Sequence, residues 1–134
     1  MRFAMENDFN VIVSVGELQR DDFPEEVVSG FKKSVSGADI SKLDKLVVAY
    51  EPVWAIGTGE ADDPARANQI IGKLKQSAFK LFGESSNKIK FLYGGSVNSQ
   101  NAGSFLSQPN IDGALVGGAS LNAEEFALII GSVI

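Results

Sequence analysis

Glu51 is a single carboxylate that follows an apolar run and precedes a loop containing two glycines. Residues 46–50 predict a buried strand, and Pro52 ends it because proline cannot donate to a sheet ladder. Since α/β folds place their active sites at the C-terminal ends of parallel strands, Glu51 is a candidate for proton-transfer chemistry. The alternative for Glu51 is a capping or salt-bridged carboxylate with a structural role.

Glycine-bearing loops follow all four predicted strands, at residues 15–17, 51–59, 93–97 and 116–121. Glycines at strand ends let backbone N–H groups approach an anion, and the N-terminus of a following helix attracts negative charge. Plain turn formation would explain either of the two Gly-Gly pairs taken alone. Two such pairs at equivalent strand ends favour a shared phosphate-binding rim.

Glu17 and Trp54 are two further side chains of interest in these loops. Glu17 is a second candidate acid, but a structural ion pair is the favoured interpretation. Trp54 is expected to pack against the core, or to anchor a hinge of the loop that carries it.

The composition narrows the classes of function. With 134 residues, 44% of them apolar, and no internal repeat, the chain is expected to form a single domain over residues 1–134. A net charge of −5 argues against a nucleic-acid partner.

Two residue types that often carry chemistry are missing from the sequence. It has no cysteine, which excludes disulfides and thiolate sites. It also has no histidine, which leaves Glu, Asp, Lys, Tyr or an outside group for proton transfer. Residues 1–8 resemble neither a signal peptide nor a membrane anchor, so a cytoplasmic protein without a membrane partner is expected.

Short apolar runs predict four buried parallel strands, at residues 11–15, 46–50, 89–93 and 113–116. Helical patterns alternate with them, at residues 1–8, 24–35, 64–82 and 99–106 and after Asn122. This order predicts an α/β fold. The helices would cover one face of the sheet if it curls into a barrel and both faces if it stays open, and the sequence alone does not choose between them.

Two of the predicted helices carry clear boundary signals. Asp63 can cap the helix at 64–82, and Gly83 can end it. Asn122 is the expected cap of the last helix, and Glu125 is expected to return the capping bond. The residues expected to form the apolar faces of these two helices are Ile70, Ile71, Leu74, Ala78, Phe79 and Leu81, and Phe126, Ile129 and Ile130.

Three motifs occur in the order and spacing of a known family: Ala49-Tyr50-Glu51-Pro52-Val53-Trp54-Ala55-Ile56-Gly57-Thr58-Gly59, Tyr93-Gly94-Gly95-Ser96-Val97, and Gly113-Ala114-Leu115-Val116-Gly117-Gly118-Ala119-Ser120-Leu121. Together they resemble triosephosphate isomerase. The resemblance covers essentially the whole chain, and residues 11–17 resemble the family's fifth strand. It implies the C-terminal half of a (β/α)8 TIM barrel, strands five to eight.

The resemblance implies that Glu51 is the catalytic base. In this family the base moves a proton between neighbouring carbons of a triose phosphate through an enediolate, which interconverts dihydroxyacetone phosphate and glyceraldehyde 3-phosphate. Ile56 and Leu115 match the apolar pair that clamps the base, and excluding water from a carboxylate raises its pKa. No cofactor and no metal are implied.

A lid and a phosphate site are also implied by the resemblance. The lid corresponds to residues 52–58, namely Pro52, Val53, Trp54, Ala55, Ile56, Gly57 and Thr58. The positions that match the family's phosphate contacts are Gly57, Ser96, Gly117 and Gly118. Lid closure protects the intermediate from losing phosphate.

The sequence also departs from the family pattern. Residues 60–62 read Glu-Ala-Asp, where the family often has Lys-Thr-Ala after the lid. The loop 18–24 is short, and Ser14 occupies a place where cysteine is frequent. The family's lysine and asparagine, from its first strand, have no counterpart here, nor has the neutral histidine that polarises the substrate carbonyl, for which triosephosphate isomerase is itself the standard example.

Two functions are consistent with these observations. The first is an isomerase half that is inactive alone and works when joined to the N-terminal half, in a family whose complete members usually form homodimers. The second is a non-catalytic half-barrel that binds phosphate or self-associates, because four strands leave two unpaired sheet edges. A third, a phosphate-binding barrel with other chemistry, is disfavoured by the segment around Glu51.

Overall fold

The computed structural model describes residues 1–20 and 25–132. One parallel sheet runs in the order β1 (Val11–Val15), β2 (Leu46–Tyr50), β3 (Lys90–Tyr93) and β4 (Gly113–Ala114). Chain neighbours are sheet neighbours throughout, as right-handed crossovers through intervening helices produce. The predicted α/β class, with four parallel strands alternating with helices, is confirmed and is consistent with half of a TIM barrel.

The α-helices of the described residues are α1 (Arg2–Glu6), α2 (Glu25–Ser34), α3 (Pro64–Phe82), α4 (Ala102–Leu106) and α5 (Ala123–Gly131). Short 3-10 helices occur at Ile40–Lys45, Val53–Ala55, Gly83–Lys88 and Gly118–Leu121. Within residues 1–20 and 25–132, no helix combines the length and hydropathy that a membrane span needs.

Helix α3 has the predicted bounds, and its caps explain them. The Asp63 side chain accepts a bond from the backbone N–H of Arg66 at 3.0 Å, and Pro64 occupies the first turn, where its missing N–H costs nothing. The helix ends at Gly83, whose φ of 58° suits glycine.

The core lies on one face of the sheet. Because side chains alternate along a strand, Val48 and Tyr50 of β2 point to the opposite face from Val47. The buried face meets residues of the helices in one cluster, which includes Leu46, Val48, Tyr50, Phe91, Tyr93, Phe31, Ile71, Leu74 and Phe105. On the other face, Ile12 is 53% exposed, and Val47 and Leu92 are only half-buried. This one-sided covering is the arrangement expected of a sheet that curls.

Several predicted boundaries were too long. Strand β4 covers two residues rather than 113–116, because its pairing extends only to Leu92 and Tyr93. Strand β3 begins at Lys90, α4 begins at Ala102, and α1 occupies only part of residues 1–8. Helix α2 agrees with the prediction of 24–35 to within one residue at its C-terminus, and Pro24 lies outside the described residues.

Two predictions about side chains on the helices were wrong. Phe79 and Leu81 of α3 are 51% and 46% exposed instead of buried. Asn122 does cap α5, accepting from the Glu125 N–H at 3.0 Å, but Glu125 does not return the bond. Its carboxylate instead accepts from the backbone N–H of Ser99 at 2.6 Å and from the Ser99 hydroxyl at 3.0 Å.

The apolar stripe predicted on α5 is only partly buried. Ile129 is 3% exposed, whereas Phe126 and Ile130 are 37% and 48% exposed. Together with the open face of the sheet, this leaves apolar surface on the β4 side of the fold without a covering layer among the described residues.

Candidate active site

Glu51 lies directly after the C-terminal end of β2, as the sequence predicts. Its backbone N–H donates to the carbonyl of Val15 at 2.8 Å, which extends the ladder by one residue beyond each strand. The side chain is half-buried, and Oε1 accepts a bond from the Ser14 hydroxyl at 2.8 Å. Ser14 is the neighbour of Ala49 in the sheet, so β1 holds the carboxylate from the side.

Two glycines allow the backbone to approach Glu51 closely. A Cβ atom at Gly16 would lie 1.7 Å from the Glu51 carbonyl oxygen, and one at Gly94 would lie 2.6 Å from its Cγ. Neither position admits a larger residue without displacing Glu51, since carbon atoms do not approach this closely. The loops after β1 and β3 therefore determine where the carboxylate lies.

A cleft of about 280 Å³ opens beside this carboxylate. Its lining residues are Glu51, Ile56, Gly57, Gly94, Gly95, Val97, Leu115, Val116, Gly117 and Gly118. The cleft thus brings together six of the residues singled out from the sequence, and both Gly-Gly pairs. These residues come from three strand ends, which is the shared rim that the glycine pattern predicts.

The other predicted site residues lie beside the cleft. Ser96 donates its hydroxyl to the carbonyl of Ala55 at 2.7 Å, so it contacts the lid. Thr58 accepts a bond from the Glu60 N–H at 3.1 Å. Pro52, Val53 and Trp54 are not among the lining residues; Val53 to Ala55 form the 3-10 helix at the start of the lid.

The two residues expected to clamp the base lie at the cleft but do not seal it. Ile56 and Leu115 line the same cleft as Glu51. Ile56 nevertheless remains 45% exposed, and Gly117 and Gly118 are exposed. The cleft is therefore open to solvent in this structure.

A buried polar network lies on the helix side of the sheet, behind Glu51. Glu17 is buried and pairs with the Arg66 guanidinium at 2.5 Å, so the expected ion pair is present. Arg66 also pairs with Asp62 at 2.6 Å. The Tyr50 hydroxyl lies 3.1 Å from Glu17, 3.2 Å from Asp62 and 3.0 Å from the Arg66 Nη1 that donates to it.

The network reaches the lid through Trp54, whose indole N–H donates to Glu17 at 3.1 Å. On the far side of the lid, the Asp62 backbone N–H donates to the Tyr93 hydroxyl at 2.9 Å. The Trp54 bond ties the segment expected to form the lid to the loop after β1, and the role of Trp54 as a hinge anchor stays a prediction.

Burial changes the titration of both tyrosines. Burial, followed by the charges of Asp62 and Glu17, raises the pKa of Tyr50 far above its usual range. For Tyr93, burial is again the main cause, and its pKa rises to about 12 even though the N–H donated by Asp62 opposes the shift. Both hydroxyls are therefore neutral at physiological pH.

We expect the Tyr93 shift to make the fold sensitive to alkali. Tyrosine in the unfolded chain loses its proton near pH 10, whereas folded Tyr93 keeps its proton to about pH 12. The contribution of Tyr93 to the free energy of unfolding is therefore complete below pH 10. As the pH rises from 10 to 12, this contribution falls by at most about 1.4 kcal/mol per pH unit. Urea unfolding at pH 8, 10 and 11 measures this. Tyr93→Phe should lose less stability over that range, and parallel curves for the two proteins would contradict the assignment.

Some of these residues were not identified from the sequence. The sequence marks Ser14 only as a departure from the family. Because side chains alternate along a strand, Ser14 must lie on the opposite face from Val13 and Val15, which could have placed it on the face of Glu51. For Arg66 the sequence offers a weaker sign: Arg66 follows Asp62 by four residues, a spacing at which two charged side chains can pair. Its pairing with Glu17, 49 residues earlier, has no local signal at all.

Comparison with known proteins gives matches to one family. The family model described as Triosephosphate isomerase matches residues 1–133. Proteins named triosephosphate isomerase are similar to this chain: that of Nocardia farcinica is 40% identical over 131 residues, and that of Roseiflexus sp. is 42% identical over 135. These alignments cover 94% and 97% of this chain but 50% and 53% of the relatives. The chain thus spans about half the length of the curated relatives it matches, and it belongs to the triosephosphate isomerase family.

Proposed function

We propose that this chain is the C-terminal half of a triosephosphate isomerase, strands five to eight of the barrel, and that it supplies the catalytic base and the phosphate site. One observation carries the proposal: Glu51 lines the same cleft as Gly57 and both Gly-Gly pairs. A base and a set of backbone groups suited to an anion therefore face one volume, which is what proton transfer on a small phosphorylated substrate needs.

Glu51 would act on the carbon next to the substrate carbonyl. Its carboxylate removes a proton from that carbon of dihydroxyacetone phosphate, and the C–H electron pair forms the enediolate. The same carboxyl group then returns the proton to the neighbouring carbon, and the hydroxyl proton moves from the first oxygen to the former carbonyl oxygen through the electrophile that the other half would supply, which gives glyceraldehyde 3-phosphate. Because the Ser14 hydroxyl bonds Oε1, we assign the proton transfer to Oε2.

Backbone groups would hold the phosphate. The residues that line the cleft include no lysine or arginine, so the charge must be met by N–H dipoles, as at many phosphate sites. We assign this role to Gly57, Ser96, Gly117 and Gly118. Closure of Ile56 against Leu115 would then exclude water from Glu51 and strengthen it as a base.

The electrophile must come from the other half of the barrel. The sequence has no histidine, and no lysine lines the cleft beside Glu51. The open face of the sheet, with Ile12 half exposed, offers a surface on which a second half-barrel can close. That half would be either further residues of the same polypeptide or a separate chain, and the complete enzyme would be a homodimer acting on triose phosphates.

Mixing tests the proposal. A chain of residues 1–134 is combined with a separately produced N-terminal half of a relative, and isomerisation of dihydroxyacetone phosphate is followed with a coupled assay. We expect turnover that depends on both components and saturates at one-to-one stoichiometry. A matched N-terminal half without its histidine is the control and should assemble but turn over far more slowly.

The alternative, a non-catalytic phosphate-binding or self-associating half-barrel, predicts a different result. The mixture would form a folded complex and bind triose phosphate, with no isomerisation above the uncatalysed rate. A well-folded but inactive complex would therefore overturn the proposal of an isomerase half.

A further inference from the structure

One arginine connects the residues that hold the two ends of the lid. At the first end, Glu17 accepts from the Trp54 indole at 3.1 Å, and its carbonyl accepts from the Val53 N–H at 2.9 Å. At the second end, the chain returns to α3 through Asp62. Arg66 donates to Glu17 through Nη2 and to Asp62 through Nη1.

Both carboxylates in this arrangement are fully buried. The side chains of Glu17 and Asp62 have 0% exposure, and that of Arg66 has 11%. Two buried carboxylates repel each other and lose hydration, so their burial needs a cation with several directed donors. The planar guanidinium fulfils this geometry, which a lysine ammonium cannot reproduce as a point charge.

A purely stabilising role accounts poorly for this cluster. Replacing a buried ion network by apolar residues of similar volume is often neutral or stabilising, since desolvation offsets the attraction. The network is also placed where it constrains the lid, between the loop after β1 and the first turn of α3.

We propose that Arg66 is a positioning residue that couples the two ends of the lid, by holding Glu17 beneath Trp54 and Asp62 at the return to α3. Without the guanidinium, the two anchors would move independently, and the lid would sample more conformations over the cleft. The kinetic part of this inference rests on the proposed isomerase function. The structural part does not, because the coupling exists in the chain alone.

Trp54 is a direct reporter of the lid because the sequence contains one tryptophan. Two guanidinium groups lie close to its ring, with Cζ of Arg20 at 5.5 Å and Cζ of Arg66 at 5.8 Å from the ring centroid. Its N–H bond to Glu17 and these cation–π contacts fix its environment. Loosening of the first anchor should therefore appear in its emission and in its accessibility to a quencher.

The test compares two conservative variants with a matched control. Arg66→Lys keeps the positive charge but loses the planar guanidinium with its two donating nitrogens. Asp62→Asn keeps the size of the side chain but loses its charge. Asp8→Asn is the control, because Asp8 forms an exposed ion pair with Lys45. In Arg66→Lys and Asp62→Asn we expect red-shifted Trp54 emission and at least about twofold stronger acrylamide quenching, with unchanged far-ultraviolet circular dichroism. The control should match the parent.

In the completed barrel, the same two variants should lower kcat/KM for dihydroxyacetone phosphate by about 10-fold to 10²-fold, since misplacement of a closing segment costs this much. The triple variant Glu17→Gln, Asp62→Asn, Arg66→Gln removes all three charges together, so that no buried carboxylate is left without its cation, and tests whether the fold depends on the network. It should fold and should still show exposed Trp54.

Parent-like quenching in Arg66→Lys and in the folded triple variant would overturn the coupling role. The proposed isomerase function fails separately, if the completed parent barrel is inactive while the quenching differences persist.

Discussion

Replacing Glu51 with aspartate should lower kcat of the completed barrel by about 10²-fold. The shorter side chain withdraws the carboxylate from the substrate carbon, and a displacement of about 1 Å is enough for a loss of this size. Glu51→Gln, which cannot accept the proton, should cost about 10² to 10⁴-fold, the usual contribution of a general base. Substrate KM should change far less, because the backbone groups assigned to the phosphate remain. Initial rates over a range of dihydroxyacetone phosphate concentrations measure both quantities.

Glu26→Asp is the matched control for these variants. Glu26 is exposed in the first turn of α2, so the same loss of one methylene there should leave kcat within the error of the parent. Equal rates for Glu51→Asp and the parent would mean that Glu51 is not the base.

Gly94→Ala is expected to lower kcat of the completed barrel while leaving the fold intact. The added methyl group would lie 2.6 Å from Cγ, 3.3 Å from Cδ and 3.4 Å from Oε1 of Glu51. The side chain can yield more easily than backbone, so the carboxylate should rotate away from the cleft and from Ser14. We expect kcat to fall by about 10²-fold, with a destabilisation of about 1 to 3 kcal/mol from the overpacking.

Gly30→Ala separates this local effect from a general effect of adding a methyl group. Gly30 lies within α2, and a Cβ atom there would meet nothing within 4 Å. Alanine should stabilise the helix by about 0.5 to 1 kcal/mol and leave turnover unchanged. Full activity of Gly94→Ala in a stably folded protein would show that Glu51 is positioned by something other than the close approach of this loop.

Much of the fold follows from local sequence patterns. The apolar runs at β1 and β2 predict strands with the observed bounds, because buried parallel strands are near-continuous runs of β-branched and aliphatic residues. Asp63, Pro64 and Gly83 specify both ends of α3, since each satisfies a particular requirement of a helix terminus. These are short-range signals, and they do not depend on what the rest of the protein does.

The errors come from contacts that the sequence does not encode locally. Phe79 follows the buried Ala78 and is rotated about 100° from it, off the buried stripe. Leu81 lies in the last turn of a 19-residue helix about 28 Å long, which extends beyond the much shorter strand β3. Glu125 binds Ser99, a residue 26 positions earlier, instead of closing the capping box.

The candidate site, like the fold, was predictable from the sequence only in part. Its position at the strand ends was predictable from Glu51 and the two Gly-Gly pairs, because chain order and parallel pairing bring those ends together. The network of Glu17, Asp62 and Arg66 was not predictable, because its formation depends on tertiary packing of the lid against α3. The departure from the family pattern at residues 60–62 marked this region as different, without indicating which residues would pair.

Turnover of the purified chain alone tests the central claim most directly, which is that the base and the phosphate site are present here and the electrophile is supplied by the other half. The chain of residues 1–134 is assayed with dihydroxyacetone phosphate over a wide range of protein concentration, free of any other isomerase. We predict no isomerisation above the uncatalysed rate at any concentration. Robust turnover by the chain alone would contradict the account.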